Sequence, residues 1–301
     1  MASTSHGNKL NALFANRKLP ECDRRRRDEV LARYANWHAA LENQDLCAED
    51  YLENLVAKTN EYKNYIDIDF IFSSEADFLY RQAGQLKLNN SILEECLSYL
   101  FDRRLIPGAF SKGNSFGGDY SCYAGFTFGS WNAQSLVDRI QIKTKNQDFS
   151  IGKTVNLFLE DGEFRDNVSL NVAYFATEIK TNLDKTMFQE ACATARELKS
   201  HVLNSRYYLV CEWIDMTPID TSTTSIDKVI ILRRAQRLAS DVRAHFSTVE
   251  GRRQYREPYV KHLLDNPLSI DMFKYLVECA NQVLPPPTDE EESEVIARGL
   301  F

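Results

Sequence analysis

The sequence predicts an α/β protein whose core is a mixed sheet flanked by helices, with helical additions at the N- and C-terminal ends. Three observations predict it. Apolar residues recur at helical spacing through residues 1–65. Alternation of period two then runs through 139–180, as half-buried strands require. A helical pattern from Thr186 to about Leu203 is followed by the short apolar strand Tyr207–Ile214. Helix, three strands, helix and strand is the order of an α/β core with a mixed sheet. A chain of 301 residues, 44% hydrophobic and 26% charged, excludes a disordered or fibrous protein and is long enough to bury a sizeable core.

The N-terminal region, 1–65, reads as two helices. Asp23 is placed to cap the first, in which Val30, Leu31, Tyr34, Trp37, His38 and Leu41 form one stripe; His38 on that stripe reads as a core or boundary histidine. Tyr51, Leu52, Leu55, Val56 and Tyr62 form the stripe of the second. The run Arg24–Arg27 reads either as a DNA-binding arm or, given Asp23, Asp28 and Glu29 beside it, as a solvated helix start. A third helix is expected at Ser91–Phe101.

Six of the twelve glycines lie between Gly108 and Gly129, interleaved with aromatic residues, and read as a loop region that either contacts substrate, with backbone close to a ligand and aromatics stacked on bases, or simply makes long turns. Ile140 and Ile142, then Phe149 and Ile151, then Val155, Leu157 and Leu159 alternate with polar residues. A turn is expected at 161–167, after which Val168, Leu170, Val172 and Tyr174 lead into Glu178-Ile179-Lys180. The central region, 66–216, is thus the expected core. The C-terminal region, 217–301, reads as helical: Ile230, Ala235, Leu238, Val242 and Phe246 mark one helix with Gly251 as its stop, and Met272 to Val283 another. It ends in an acidic tail, Asp289–Glu294. The three regions are expected to form one compact domain.

The formal charge of −7 is unevenly spread. Residues 228–262 carry nine Lys and Arg against three Asp and Glu, whereas 151–227 carry seven against twelve. Arg233 and Arg237 of the basic block would share one helix face and suit phosphate contact. The polar start, and the lack of an apolar stretch near ~18 residues, predict neither secretion nor membrane spanning. Seven scattered cysteines without a Cys-x-x-Cys pair read as free thiols of a cytoplasmic protein.

Glu178 and Lys180, two apart on a strand, place a carboxylate and an ammonium on one face. A charged pair at the end of an apolar face is costly without partners. Pairing 148–160 antiparallel with 168–180 brings Asp148 opposite Lys180 and beside Glu178, while Asp161 and Asp166 fall at the far, turn end. Two carboxylates on adjacent strand ends suit Mg2+, and a lysine beside them could orient or deprotonate a water and neutralise a pentacovalent phosphate. The chemistry indicated is phosphodiester hydrolysis.

The stretch 173–191, with Glu178-Ile-Lys180 at its centre, resembles the active-site block of PD-(D/E)XK nucleases, and more narrowly type II restriction endonucleases of the BbvCI-like group. The block 147–152 resembles that group's first metal-binding strand, with Gln147 where the superfamily name has proline, and 92–97 resembles its upstream helix. The resemblance implies a restriction-endonuclease-like core and site-specific cleavage of double-stranded DNA. Asp148 and Glu178 would be Mg2+ ligands, Lys180 the catalytic lysine, and Glu94 or Glu95 and Gln189 accessory. It implies a homodimer or a heterodimer with a similar subunit, and a cognate DNA methyltransferase in the same restriction-modification system. Two rivals stay open: a non-specific or repair-type nuclease on the same core, and a non-catalytic DNA-binding subunit in which Glu178–Lys180 is only a salt bridge.

Overall fold

The computed structural model describes residues 4–42, 45–110, 113, 115–129, 140–161 and 164–285, so the acidic tail lies outside the described residues. Helices α1 (Ser5–Ala15), α2 (Glu21–Arg24), α3 (Arg27–Leu41), α4 (Ala48–Asn64), α5 (Phe78–Leu86) and α6 (Leu88–Ser98) precede the sheet. Strands β1 (Ser115–Phe128), β2 (Ile140–Asp161) and β3 (Phe164–Leu183) follow, then helix α7 (Lys185–His201), β4 (Arg206–Ile214) and β5 (Lys228–Ile231). Helices α8 (Ser240–Ala244), α9 (Val249–Gln254), α10 (Arg256–Asp265) and α11 (Ile270–Val283) complete the order.

The five strands run in the order β1-β2-β3-β4-β5. The first three are antiparallel neighbours, whereas β3, β4 and β5 are parallel. Parallel neighbours need a crossover, and α7 supplies it between β3 and β4. On one face, Phe149, Ile151, Phe175, Ile179 and Val210 pack with Leu55, Ile92 and Leu93 of the N-terminal helices and Phe273 and Leu276 of α11. On the other, Ala176, Tyr207, Leu209 and Cys211 pack against Phe188, Ala191, Ala195 and Leu198 of α7. The chain is therefore an α/β protein with a mixed five-stranded sheet and flanking helices. Among the described residues no helix is long and apolar enough to cross a membrane, and all seven cysteines are free.

Several expectations change. The first helix read from the sequence is α3, preceded by the separate α1. Asp23 caps nothing: it is buried within α2 and accepts the Ser74 hydroxyl at 2.8 Å. His38 is half-buried and pairs with Glu42 at 3.6 Å, a boundary position. The Gly- and aromatic-rich stretch read as a loop is mostly strand β1. The turn of the β2–β3 hairpin is shorter than 161–167, since Asp161 and Phe164 already pair. The helix expected over 230–246 is not formed. Val229, Ile230 and Ile231 belong to the edge strand β5, and Arg234 turns the chain in the left-handed region at φ 52°. Gly251 lies inside α9 rather than ending a longer helix.

That turn carries Arg233 inward. Its Nε donates to Glu212 Oε1 at 2.7 Å, and its side chain stacks over Trp213. Lys63 Nζ lies 3.0 Å from Glu212 Oε2 and donates to Asp67 Oδ2 at 3.0 Å. Asn89 donates to the other Asp67 oxygen at 2.7 Å. All four charged side chains are buried. Asp67 sits where α4 runs on into a π-helical stretch, Tyr65–Phe72, so Lys63 and Asp67 come from one continuous helical segment. Burial works against both carboxylates. The charges of Lys63 and Arg233 more than offset it for Glu212, whose pKa lies below its ordinary value, whereas burial wins for Asp67, whose pKa is raised.

Removing one member of such a set leaves an uncompensated buried charge. Arg233→Met is therefore expected to lower folding stability by about 3–5 kcal/mol, measured by urea unfolding. A loss below about 1 kcal/mol would show that the four charges are not energetically coupled.

Candidate active site

The site forms where β2 leaves β3. Their last paired residues at this end are Phe149 and Thr177, so Asp148 falls at the level of Glu178 rather than opposite Lys180. The hairpin turn is shorter than expected, which slides the strands three residues from the expected register, and a one-residue bulge between Ile151 and Gly152, which leaves Tyr174 without a partner, restores one of the three. On its other side β2 is irregular at the same point. Gly118 pairs with Ser150 and Tyr120 with Gln147, so Asp148 and Phe149 together oppose Asp119. Gly118 holds φ 139°, a conformation that side chains other than glycine rarely adopt, and so permits that irregularity. Beyond the last ladder pair, the Ile179 backbone N–H is taken by Asp148 Oδ2 at 2.7 Å.

Glu178 lies between two partners. Its Oε1 is 2.7 Å from Lys180 Nζ, and its Oε2 accepts the Tyr207 hydroxyl at 2.8 Å. Tyr207 comes from β4, whose parallel register sets Leu209 against Glu178. Burial, reinforced by Glu178, pushes the Tyr207 phenol far up, so it stays protonated and donates. Burial alone would lower the Lys180 pKa; the hydrogen bond and charge of Glu178, helped by Asp148 and Glu190, reverse this and hold it above its ordinary value. Lys180 is thus a stable ammonium. Burial raises Asp148 to about 6, with Glu94 and Glu178 adding to the shift and the Ile179 N–H and Lys180 opposing it.

These groups open into a cleft of about 550 Å³ lined by Asp148, Glu178, Lys180, Lys145, Arg237 and Arg243 among others, with Asp67 and Glu212 also on its wall. Among the described residues no three His, Cys, Asp or Glu side chains converge as a ready-made metal cage. Two neighbouring carboxylates in a cleft open to water do suit magnesium, which keeps several waters and takes one or two protein carboxylates. Asp148 and Glu178 are the residues that would hold it.

The other expected site residues separate. Glu95 is buried and accepts from the His6 backbone N–H at 2.9 Å and the Tyr34 hydroxyl at 2.8 Å; it pins α1 and α3 to α6 and has no part in the cleft. Its neighbour Glu94 is the one whose charge reaches Asp148, and it is held by Ser5 and Asn90, each at 2.6 Å. Gln189 is exposed on α7 and does not line the cleft. Arg237 lines it, but Arg233 is interior and bound to Glu212, so the shared helix face expected for the two does not exist. Asp166 pairs with Leu159 near the hairpin turn, away from Glu178. Tyr207 was missed: a tyrosine in an apolar strand carries no signal until the β3–β4 register is known.

A model of the Bpu10I restriction endonuclease family matches residues 85–301. Among solved structures, the chain is similar to one described as "native BbvCI A2B2 tetramer at low resolution", with a TM-score of 0.62 and 16% identity over 94% of this chain and 97% of that one. That likeness shows a restriction-endonuclease-like fold. No curated protein matches the chain.

Asp148 yields a stability test. A carboxyl whose folded pKa lies near 6, above its ordinary 3.8, favours the folded state when protonated and opposes it when ionised. At pH 8 without metal the ionised group costs on the order of 3 kcal/mol. Asp148→Asn keeps an oxygen for the Ile179 N–H and removes the charge, so its Tm in EDTA should exceed that of the unaltered protein at pH 8. The gain should shrink as pH falls through 6 towards 4. An equal or lower Tm at pH 8 would refute the buried, like-charged setting of Asp148.

Proposed function

The chain belongs to the Bpu10I restriction endonuclease family and so is a site-specific deoxyribonuclease, and from that premise we propose that Asp148, Glu178 and Lys180 carry a magnesium-dependent hydrolysis of double-stranded DNA. The observation that supports this reading best is the Asp148 carboxylate on the Ile179 N–H, level with Glu178, with Lys180 bound to Glu178. Two carboxylates and one ammonium then face one cleft.

Magnesium, when bound, supplies Lewis acidity towards a phosphoryl oxygen and makes a nearby water more acidic. The protein's own groups do the rest. The Ile179 N–H and the Tyr207 hydroxyl fix the Asp148 and Glu178 carboxylates before any ligand arrives. Lys180, kept protonated, acts as a donor that orients the attacking water and offsets charge gathering on the phosphoryl oxygens. Of the two roles open to a lysine here, this favours orientation and charge neutralisation over proton abstraction.

One such site serves one scissile bond at a time, so cutting both strands needs a second. The similar BbvCI protein is an A2B2 tetramer. We take this chain to work likewise with an identical or similar subunit, in the cytoplasm, alongside a cognate DNA methyltransferase of the same restriction-modification system. Arg237 lines the cleft, which supports a phosphate contact for it.

The purified protein incubated with phage DNA and Mg2+, alone and with the product of any adjacent similar reading frame, should give discrete fragments whose ends share one sequence. A smear would favour a non-specific nuclease. Lys180→Ala and Glu178→Ala should each cut at least about 100-fold more slowly while still binding DNA. Asp148→Ala should do the same, and Asp166→Ala should cut normally. Full cleavage by the Lys180 or Glu178 variant would sink the assignment. No metal binding by calorimetry, with DNA binding indifferent to metal, would favour a non-catalytic subunit.

A further inference from the structure

Two arginines in the cleft share one carboxylate. Arg237 Nη1 donates to Asp215 Oδ2 at 3.1 Å, and Arg243 Nη2 lies 3.1 Å from the same oxygen and 3.4 Å from Oδ1. Arg243 Nε also donates to the Leu238 carbonyl at 2.7 Å. The group is bolted to the catalytic strands. The Asp215 N–H donates to the Leu183 carbonyl at the end of β3 at 2.8 Å, and the Arg237 N–H to Ile214 at the end of β4 at 2.9 Å. Strand β3 carries Glu178 and Lys180, so both guanidiniums are held at a fixed distance from them. Both side chains are partly exposed, and both line the cleft that Asp148, Glu178 and Lys180 also line.

One carboxylate offsets one of the two positive charges. A guanidinium carries five N–H donors in a planar fork. Arg237 uses one of them, and Arg243 two nitrogens, on the partners given. Free donors and a surplus charge therefore remain in the cleft. A tetrahedral oxyanion such as a phosphodiester presents several acceptors and takes charge-assisted hydrogen bonds from such forks. Lys87, Lys145 and Lys180 also line the same cleft.

We infer that Arg237 and Arg243, set side by side on Asp215, form a phosphate clamp that grips a DNA backbone phosphate other than the one cut by the Asp148, Glu178 and Lys180 group. This rests on the nuclease reading above and adds a positioning element to it. Because the scissile phosphate must lie at Lys180, a second fixed contact sets the register and direction of the strand across the cleft, which phosphate contacts do without reading sequence. Arg233 and Arg252, from the same basic block, are buried and take no part.

The test is binding, measured in EDTA so that nothing is cut. Fluorescence anisotropy follows a labelled random-sequence duplex of about 30 base pairs against KCl from about 50 to 200 mM. Arg243→Ala and Arg237→Ala are each expected to weaken binding about tenfold at the lowest salt and to flatten the plot of log K against log[salt] by about 0.9. Arg243→Lys keeps the charge and should keep the slope. Affinity and slope unchanged in both alanine variants would overturn the clamp, as would a lysine variant that loses as much as the alanine one, since the role of Arg243 would then be structural. Failure of the unaltered, folded protein to bind the duplex would overturn the clamp together with the nuclease reading. Tight binding by the unaltered protein with unaffected variants overturns the clamp alone.

Discussion

Four buried charges hold this molecule's parts in one arrangement. Lys63 and Asp67 belong to the helical segment that precedes the sheet, Glu212 to β4 and Arg233 to the turn after β5. Burying an ion is expensive, and attraction offsets that cost only where geometry is close and the remaining donors and acceptors are used. Here two cations alternate with two anions. Arg233 Nη1 also donates to the Asn266 carbonyl at 2.7 Å and Asp67 accepts from Asn89, whereas the buried Arg233 Nη2 has no hydrogen-bond partner among the described residues and lies 4.0 Å from Asp67. Such a set tolerates little displacement of any contributor. The N-terminal helices, the sheet and the C-terminal helices therefore meet in one relative position, and Asp67 and Glu212 form part of the wall of the cleft they create.

The geometry of the candidate site inherits this rigidity through β4. That strand offers Tyr207 to Glu178 on one face and Glu212 to the buried ions at its other end. Its parallel register with β3 sets the height of Glu178, and β3 in turn sets the height of Asp148 through the Ile179 N–H. Each link is a hydrogen bond of 2.7–2.8 Å within a sheet, and none depends on a loop. A site on rigid elements keeps its carboxylates poised despite their mutual repulsion. Burial, with the charges of Glu94 and Glu178 adding to it, shifts Asp148 upward, a strain that a divalent cation would relieve.

What the sequence revealed follows the same division. The β3–α7–β4 unit was legible because each element has one clean period and because Glu178 and Lys180 stand at the end of an alternating run. The partner aspartate was legible too, although its register was two residues off: the hairpin turn is shorter than its polar residues suggest, and the bulge at Tyr174, which recovers one residue, is set by tertiary fit and leaves no pattern. Strand β1 was hidden by its own devices, since the glycines that permit its irregularities also resemble loop punctuation. Strand β5 has four residues, and Ile230 continues by chance into a helical spacing with Ala235 and Leu238. Glu94 and Glu95 could not be separated from sequence, because adjacent positions of a helix diverge only once its packing is known.

The charge distribution shows why a run along the chain is not a patch in space. A net charge of −7 is unfavourable to a polyanionic partner, whereas the basic block at 228–262 favours one. The fold divides that block. Arg233 closes the buried ion set. Arg252, also buried, donates to the carbonyls of Phe72, Ser74, Ala76 and Phe246 and fastens α9 to the end of the π-helical stretch. Arg234 and Lys261 pair with surface aspartates. Only Arg237 and Arg243 reach the cleft, where one aspartate serves both. On the proposed reading, binding of a polyanion by a protein of net negative charge then depends on a few cations fixed beside the scissile position rather than on a broad positive field. The acidic groups there would have a separate task, since the ion proposed to bind them would carry positive charge to the place where the substrate is most negative.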